Sequence, residues 1–321
     1  MGIFDIIAIP LGWILKIVYE FVGNYGIALL LFTFITKLIL FPLAWKQKKS
    51  SIKMTAFQPM INDINKKYAN NKAKQQEELI RLQQEHGFSA ASGCLPLLIQ
   101  MPILLGLIQV IYRPLTHVAR LSSEVILQAT PIAKNILGTL SSYSAESSII
   151  TAVRQNPQAF SDIMSGKELE FVQNFNMTFF GMDLTQIPSI KQPSILWIIP
   201  VLSVAAMLIQ QILMTKLNGQ KLEGAMKIMP IYTVIMFGYF SFVIPAGVSV
   251  YWIFSSVFGI LQDLFLRIFF DPEKEKQKIE EQIKQAKKEA KKKNNQKAPN
   301  AADAKKRLER ARELENEKYG E

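Results

Sequence analysis

A lysine sits near the middle of an apolar run. Between Tyr25 and Trp45 the chain reads YGIALLLFTFITKLILFPLAW, and Lys37 is the only charged residue in it. A run of that length reads as a transmembrane helix, in which a central lysine costs roughly 2.5–3.5 kcal/mol on insertion. Lys37 lies eight residues before Trp45. At 1.5 Å per residue its backbone is about 12 Å from the nearer interface, too far for comfortable snorkelling. Either the charge faces a wet cavity inside a helical bundle, or the span is misdrawn.

Hydrophobic residues make up 49% of the 321-residue chain and charged residues 20%, which suits several spans joined by charged loops better than one soluble core. Four further apolar stretches, at about 95–112, 195–214, 228–244 and 248–270, join the one at 25–45 to predict five transmembrane helices. Residues 1–22 carry Asp5, Pro10, Lys16 and Glu20 among apolar residues and lack a basic start and a small-residue cleavage site. They read as an uncleaved amphipathic helix lying in the membrane interface. Cys94 is the single cysteine, and His86 and His117 stand apart, so neither a disulfide, a metal centre nor a cofactor is expected.

Loop charge sets the direction. Residues 46–94 hold nine Lys or Arg against four Asp or Glu, whereas 115–192 hold five against six. Lys46, Lys48, Lys49 and Lys53 directly follow the first span, so 46–94 is predicted cytoplasmic, and Lys216, Lys221, Lys227 and the basic tail agree. The N-terminal helix is then extracytoplasmic and the C-terminus cytoplasmic.

Within 46–94, Met54, Phe57, Ile61, Ile64 and Tyr68 recur at spacings of three and four, and Leu79, Leu82 and His86 resume the pattern after Asn70-Asn71. This predicts a hairpin of two amphipathic helices, kinked or delayed at Pro59. Segment 115–192 reads as short helices at the outer surface. The fourth span has 17 residues, about 25 Å of helix against a hydrocarbon core of roughly 30 Å, and should thin the bilayer or sit low in it. In the tail, 271–321, the stretch 284–297 carries seven lysines against Glu289. A solvated helix to about Lys293, the flexible run NNQKAPNAADA and a second charged helix are expected. Such a tail either solubilises or contacts a polyanion, ribosomal RNA or anionic lipid.

The spans hold no nucleophile with its base, no paired acids, no histidine and no glycine-rich phosphate loop, so an enzyme is not expected. They hold scattered polar groups: Thr33, Thr36 and Lys37; Gln100 and Gln109; Ser203, Gln210 and Gln211; Ser249, Ser255, Ser256 and Gln262. Thr33 shares a face with Lys37, and Ser249 with Trp252 and Ser256, either lining one hydrated groove or bonding between helices. Lys37 has no acid within a span to pair with, Asp263 lying toward the cytoplasmic end of the last one. An unpaired cation in a low-dielectric wall attracts acidic groups strongly, so it would draw an acidic polypeptide tail from the cytoplasm.

These residues resemble the YidC/Oxa-type membrane protein insertases, in the bacterial form without a large extracytoplasmic N-terminal domain. PLGWILKIVYEFVGNYGIALLLFTFITKLILFPL is similar to the family's interfacial helix and first conserved span, and QPMINDINKKY to the start of its cytoplasmic hairpin. HGFSAASGCLPLLIQMPILLGLIQVIY, FFGMDL and MKIMPIYTVIMFGYFSFVIPAGVSVYWIFSSVFGILQ resemble later segments in the family's order. The resemblance implies an all-α membrane protein whose five-span core (23–270) encloses a hydrophilic groove open to cytoplasm and lipid. It places the groove cation, usually arginine, at Lys37, with Gln210 and Trp252 as further lining residues beside Thr33 and Ser256. Lysine is a departure: the charge remains but the planar fork is lost. A second departure is the length of 115–192. The hairpin, through Lys53, Phe57, Pro59, Lys66, Lys67 and Tyr68, is expected to recruit substrate. The tail, through Lys287, Lys288, Lys291, Lys292 and Lys293, is expected to meet the ribosome or lipid.

The expectation is an ATP-independent insertase and chaperone in the bacterial plasma membrane. It would act on nascent one- or two-span membrane proteins, alone or beside the Sec translocon. A small-solute or ion transporter and a membrane-anchored ribosome-binding scaffold are the alternatives. The transporter reading wants repeats or broken helices at a midplane ion site, and the scaffold leaves Lys37 without a use.

Overall fold

The computed structural model describes residues 3–86, 95–141, 144–217, 225–269, 271–297 and 301–319. It divides into two units, Met1–Asp271 and Pro272–Glu321. Both are built almost wholly of helices.

The first unit opens with α1 (Ile3–Val22), which runs through Pro10. Ala8, Leu15, Val18 and Tyr19 are buried, while Ile6, Trp13, Ile17 and Phe21 are exposed. That two-faced pattern is what a helix packed on protein along one side and facing lipid along the other requires. α2 (Tyr25–Ile39) begins after Asn24, whose side-chain oxygen accepts the Ile27 N–H at 3.0 Å. Its buried residues Tyr25, Ala28, Leu29, Phe32, Thr33 and Thr36 form one stripe at helical spacing.

The expected single span over 25–45 is broken. α2 stops at Ile39 and α3 (Phe41–Lys67) leaves at 62° to it. Pro42 gives the reason: it has no N–H to offer, and its ring collides with the carbonyl four residues back. In the first turn of a new helix neither defect matters. Pro59, by contrast, stands inside α3 without ending it. α4 (Lys72–His86) follows a turn and packs back on α3.

α5 (Leu95–Tyr112) packs on α1 and α11 (Ala246–Phe269), and α11 also packs on α2 and α9 (Ile198–Leu217). α10 (Ala225–Phe240) packs on α9. Among the described residues two helices, Ile195–Leu217 with its opening 3-10 turn and Ala246–Phe269, are long and apolar enough to cross a membrane, and the bent α2–α3 pair is a third if taken as one span. The apolar parts described in α5 and α10, Gln100–Tyr112 and Pro230–Phe240, are shorter. The fourth apolar stretch was expected to run as helix to residue 244, but α10 ends at Phe240 and turns. Pro245 disfavours helical geometry in Ile244, just before it, while the helix has already ended at Phe240.

Segment 115–192 is a small layer of its own. A π-turn (Leu115–Ala119) leads to α6 (Ser123–Leu137), α7 (Ala145–Gln155), a 3-10 turn (Pro157–Phe160) and α8 (Gly166–Asn174). Ser122, Ser144 and Ser165 cap the three α-helices with their hydroxyls. A two-stranded hairpin was not expected from sequence: β1 (Thr178–Phe179) pairs antiparallel with β2 (Met182–Asp183). The chain then supplies the start of α11 with acceptors, Gln186 O taking the Ala246 N–H at 2.8 Å and Leu184 O the Gly247 N–H at 2.9 Å.

The second unit is α12 (Pro272–Lys297) and α13 (Ala301–Tyr319). Helix therefore covers Asn294–Lys297 and Ala301–Ala304, which were expected to be flexible. Asn costs only a fraction of a kcal/mol in a helix, about 0.7 at most, and the flanking Lys, Glu and Ala favour it. Cys94 and Lys221 lie outside the described residues.

Candidate functional site

Four aromatic pairs fix how the first apolar helix stands against the last. Phe32 meets Tyr251, Phe34 meets Phe258, Phe41 meets Phe265 and Trp45 meets Phe269, with ring centroids 6.5, 5.4, 5.9 and 5.7 Å apart. Three of the four share one offset, so the two stretches run parallel in a constant register. Lys37, between Phe34 and Phe41, is therefore level with residues 259–263, and Thr33 is level with Ser256. α9 joins at the same height, because the Gln210 side-chain amide occupies the space that a Cβ on Gly259 would fill.

The groups at that level differ in state. The Thr33 hydroxyl donates to Leu29 O at 2.6 Å and the Thr36 hydroxyl to Thr33 O at 2.8 Å, so both are buried and internally satisfied. Lys37 is half-buried on the last turn of α2. Among the described residues no carboxylate forms an ion pair with it. Gln210 is half-buried and Ser256 buried. Trp252 is packed inside the bundle, its ring edge-on to Phe237 at 4.9 Å and 89°. One level up, the buried hydroxyls of Ser203 on α9, Ser249 on α11 and Tyr25 on α2 have no hydrogen-bond partner among the described residues. An orphaned buried hydroxyl costs about 1–3 kcal/mol.

On the α3–α4 arm, Phe57 is buried with its ring 4.7 Å from that of His86. Tyr68, at the turn, carries Lys67 at 5.2 Å and Lys74 at 5.9 Å from its ring centroid. Pro59 and Lys66 are exposed and Lys53 half-buried. On α12, Lys288 is exposed, while the side chains of Lys287, Lys291, Lys292 and Lys293 lie outside the described residues.

Two polar pairings were not foreseen. Lys48 Nζ lies 2.6 Å from Asp263 Oδ1, and both residues are buried, which ties the start of the α3–α4 arm to α11. Gln100 donates to the Tyr251 hydroxyl at 2.7 Å, tying α5 to α11. The available signal for the first was Asp263 itself, the one acid in the last apolar stretch, which needs a partner if it is to be buried charged.

A family model described as "60Kd inner membrane protein" matches residues 17–276. Several curated proteins named "Membrane protein insertase YidC" are similar to this chain. That of Beijerinckia indica subsp. indica is 28% identical over 264 residues, covering 81% of this chain and 37% of the relative. That of Nitratidesulfovibrio vulgaris (strain DSM 19637 / Miyazaki F) is 29% identical over 262 residues, covering 82% and 38%. That of Treponema denticola is 27% identical over 257 residues, covering 80% and 36%. The chain thus spans a little over a third of the length of these relatives.

Proposed function

The chain belongs to the 60Kd inner membrane protein family, of YidC/Oxa type, and on that premise we propose that it is a membrane protein insertase and chaperone. In this reading residues 23–270 are a five-span core in the bacterial plasma membrane. The helix at 1–22 and segment 115–192 are extracytoplasmic, and the hairpin 46–94 and tail 271–321 cytoplasmic. Lys37, Thr33, Gln210, Trp252 and Ser256 belong to a groove that receives the hydrophilic tail of a nascent membrane protein. The tail's apolar segment then leaves sideways into lipid.

The observation that carries this reading is Lys37: a half-buried ammonium, level with Gln210 and about a turn from Ser256, without a carboxylate partner among the described residues. A cation held in a low-dielectric wall attracts an acidic peptide far more strongly than one in water. A wet groove also gives the Ser203 and Ser249 hydroxyls partners. The Thr33 hydroxyl donates its proton to Leu29 O, so what it can offer the groove is an acceptor. The short α2 and α10, 15 and 16 residues, span about 22 and 24 Å and suit a locally thinned bilayer.

The arm recruits substrate through the Lys67–Tyr68 edge and Lys53, Phe57, Pro59 and Lys66. α12 contacts ribosomal RNA or anionic lipid through Lys287, Lys288, Lys291, Lys292 and Lys293, and insertion proceeds with or without the Sec translocon. The test is complementation in cells depleted of their own insertase, scoring a single-span substrate with an acidic tail. Lys37→Arg restores insertion and Lys37→Glu abolishes it. Normal insertion by Lys37→Glu would overturn the charged-groove mechanism, and a lost solute flux with insertion intact would favour a transporter.

A further inference from the structure

The turn between β1 and β2 is made by Phe180 and Gly181, at φ 49° and 77°. A two-residue hairpin turn with both central residues at positive φ is ordinarily Asn-Gly or Gly-Gly. A phenylalanine there is a backbone outlier, because its Cβ crowds the neighbouring carbonyl. Its side chain returns little to the interior: Phe180 is 84% exposed, and its ring meets that of Phe179 at 4.4 Å. A strained residue whose bulk lies outside the fold implies something outside that covers it.

The hairpin's position identifies the cover. The Phe179 ring fills the space over Gly26 in the first turn of α2 and stands 6.2 Å from the Phe254 ring on α11. Immediately after the hairpin, Leu184 and Gln186 accept the first N–H groups of α11. The hairpin therefore rides on the start of α2 and on the third turn of α11, while the residues just after it reach the first turn of α11. Exposed Ile190 and Ile195 continue the apolar surface toward α9. Between residues 175 and 190 the one charged residue is Asp183, and its carboxylate accepts from Thr185 N at 2.9 Å and Thr185 Oγ1 at 2.7 Å. Around the turn itself the patch thus has no cation for phosphate and no free anion, and the nearest lysine in sequence, exposed Lys191, follows Ile190.

We infer that Phe180 is an interfacial anchor. Its ring lies in the headgroup–acyl boundary of the leaflet where α2 begins, and through Phe179 it ties the start of α2 to α11. A phenyl ring has no polar tip, and what it gains there is the burial of its apolar face on the acyl side of the boundary. The contact is apolar and does not depend on lipid charge. It requires only that α2 and α11 meet a membrane, so it stands or falls separately from the insertase reading.

The test places p-benzoyl-phenylalanine at Phe180, and as a control at exposed Ser161, in the full chain in neutral phosphatidylcholine vesicles. Irradiation gives a lipid adduct at Phe180 several-fold above that at Ser161, changing less than about twofold when a third of the lipid is anionic. Equal yields at the two sites, adducts chiefly to protein, or a several-fold rise with anionic lipid would each overturn the proposal. A Phe180→Trp chain provides an independent measurement. Brominated lipid should quench an added component beyond the parent's four tryptophans, and no added quenching counts against the anchor.

Discussion

The Glu146 carboxylate accepts the Leu115 N–H at 2.7 Å and the Thr116 N–H at 3.0 Å, closing the end of a π-turn with a buried side chain from α7. Arg113 stands 3.8 Å away on the exposed side. A single acid thus joins the C-terminal end of α5 to the layer built from α6 and α7.

Burial pushes Glu146 above its ordinary 4.5, against the opposing pull of the Thr116 and Leu115 hydrogen bonds and Arg113. A folded pKa above the unfolded one means that the folded state holds the extra proton between the two values. The stabilisation is complete below the unfolded value and is lost as pH rises through the folded one. After correction for intrinsic rates, amide exchange over residues 113–155 should be slower near pH 4 than near pH 7. Glu146→Gln should remove that difference. Glu146→Ala orphans two amides and should cost about 1–3 kcal/mol for each left dry.

Breaking one side of the Lys48–Asp263 pair leaves a buried charge without its partner. Lys48→Met or Asp263→Leu alone should each destabilise the first unit by about 3–5 kcal/mol, whereas the double substitution should recover most of the loss. Thermal unfolding in detergent across this double-mutant cycle measures it. Additive single losses would show that the 2.6 Å contact is not a coupled pair.

Gly26 is a matter of space rather than conformational freedom, because a Cβ there would enter the Phe179 ring. Gly26→Val should cost about 1–3 kcal/mol by overpacking and should loosen the hairpin. Phe179→Ala in the same chain should recover part of that cost. Equal melting temperatures for Gly26→Val and the parent would contradict the close approach.

Replacing Lys287, Lys288, Lys291, Lys292 and Lys293 by Gln should weaken association of the chain with ribosomes and flatten its salt dependence. Each phosphate contact removed should lower the slope of log K against log salt by roughly 0.7–0.9. Sedimentation at a series of salt concentrations reads both quantities, and an unchanged slope would remove the phosphate-contact role.

Where apolar runs were bounded by turn residues, the helices were legible: α5, α9 and α11 fall within a few residues of the stretches read from hydropathy. The break at Leu40 was not, because Phe41-Pro42-Leu43 is as apolar as its flanks and a hydropathy window passes over a proline. The end of α10 was missed for a related reason, the helix stopping four residues before its apolar run does. The hairpin escaped because its turn, Phe180-Gly181, lacks the usual polar first residue. Within the candidate site, periodicity put Thr33 and Lys37 on one face. It carried no information on the heights of α9 and α11, which rest on Gly259 and the aromatic pairs. Nor did it show that the Trp252 ring packs edge-on to Phe237. Lys48 and Asp263 are 215 residues apart, a separation at which no local pattern operates.

That separation orders events in the chain's own making. At 5–20 residues per second, roughly 10–40 s pass between synthesis of Lys48 and of Asp263, and until then the lysine has no such carboxylate. The α3–α4 arm therefore leaves the ribosome before the helix that tethers it exists. The last apolar helix works as a clasp, setting the arm only once the rest of the bundle is in place. A molecule proposed to help other chains into the membrane would itself be born with its own arm unfastened.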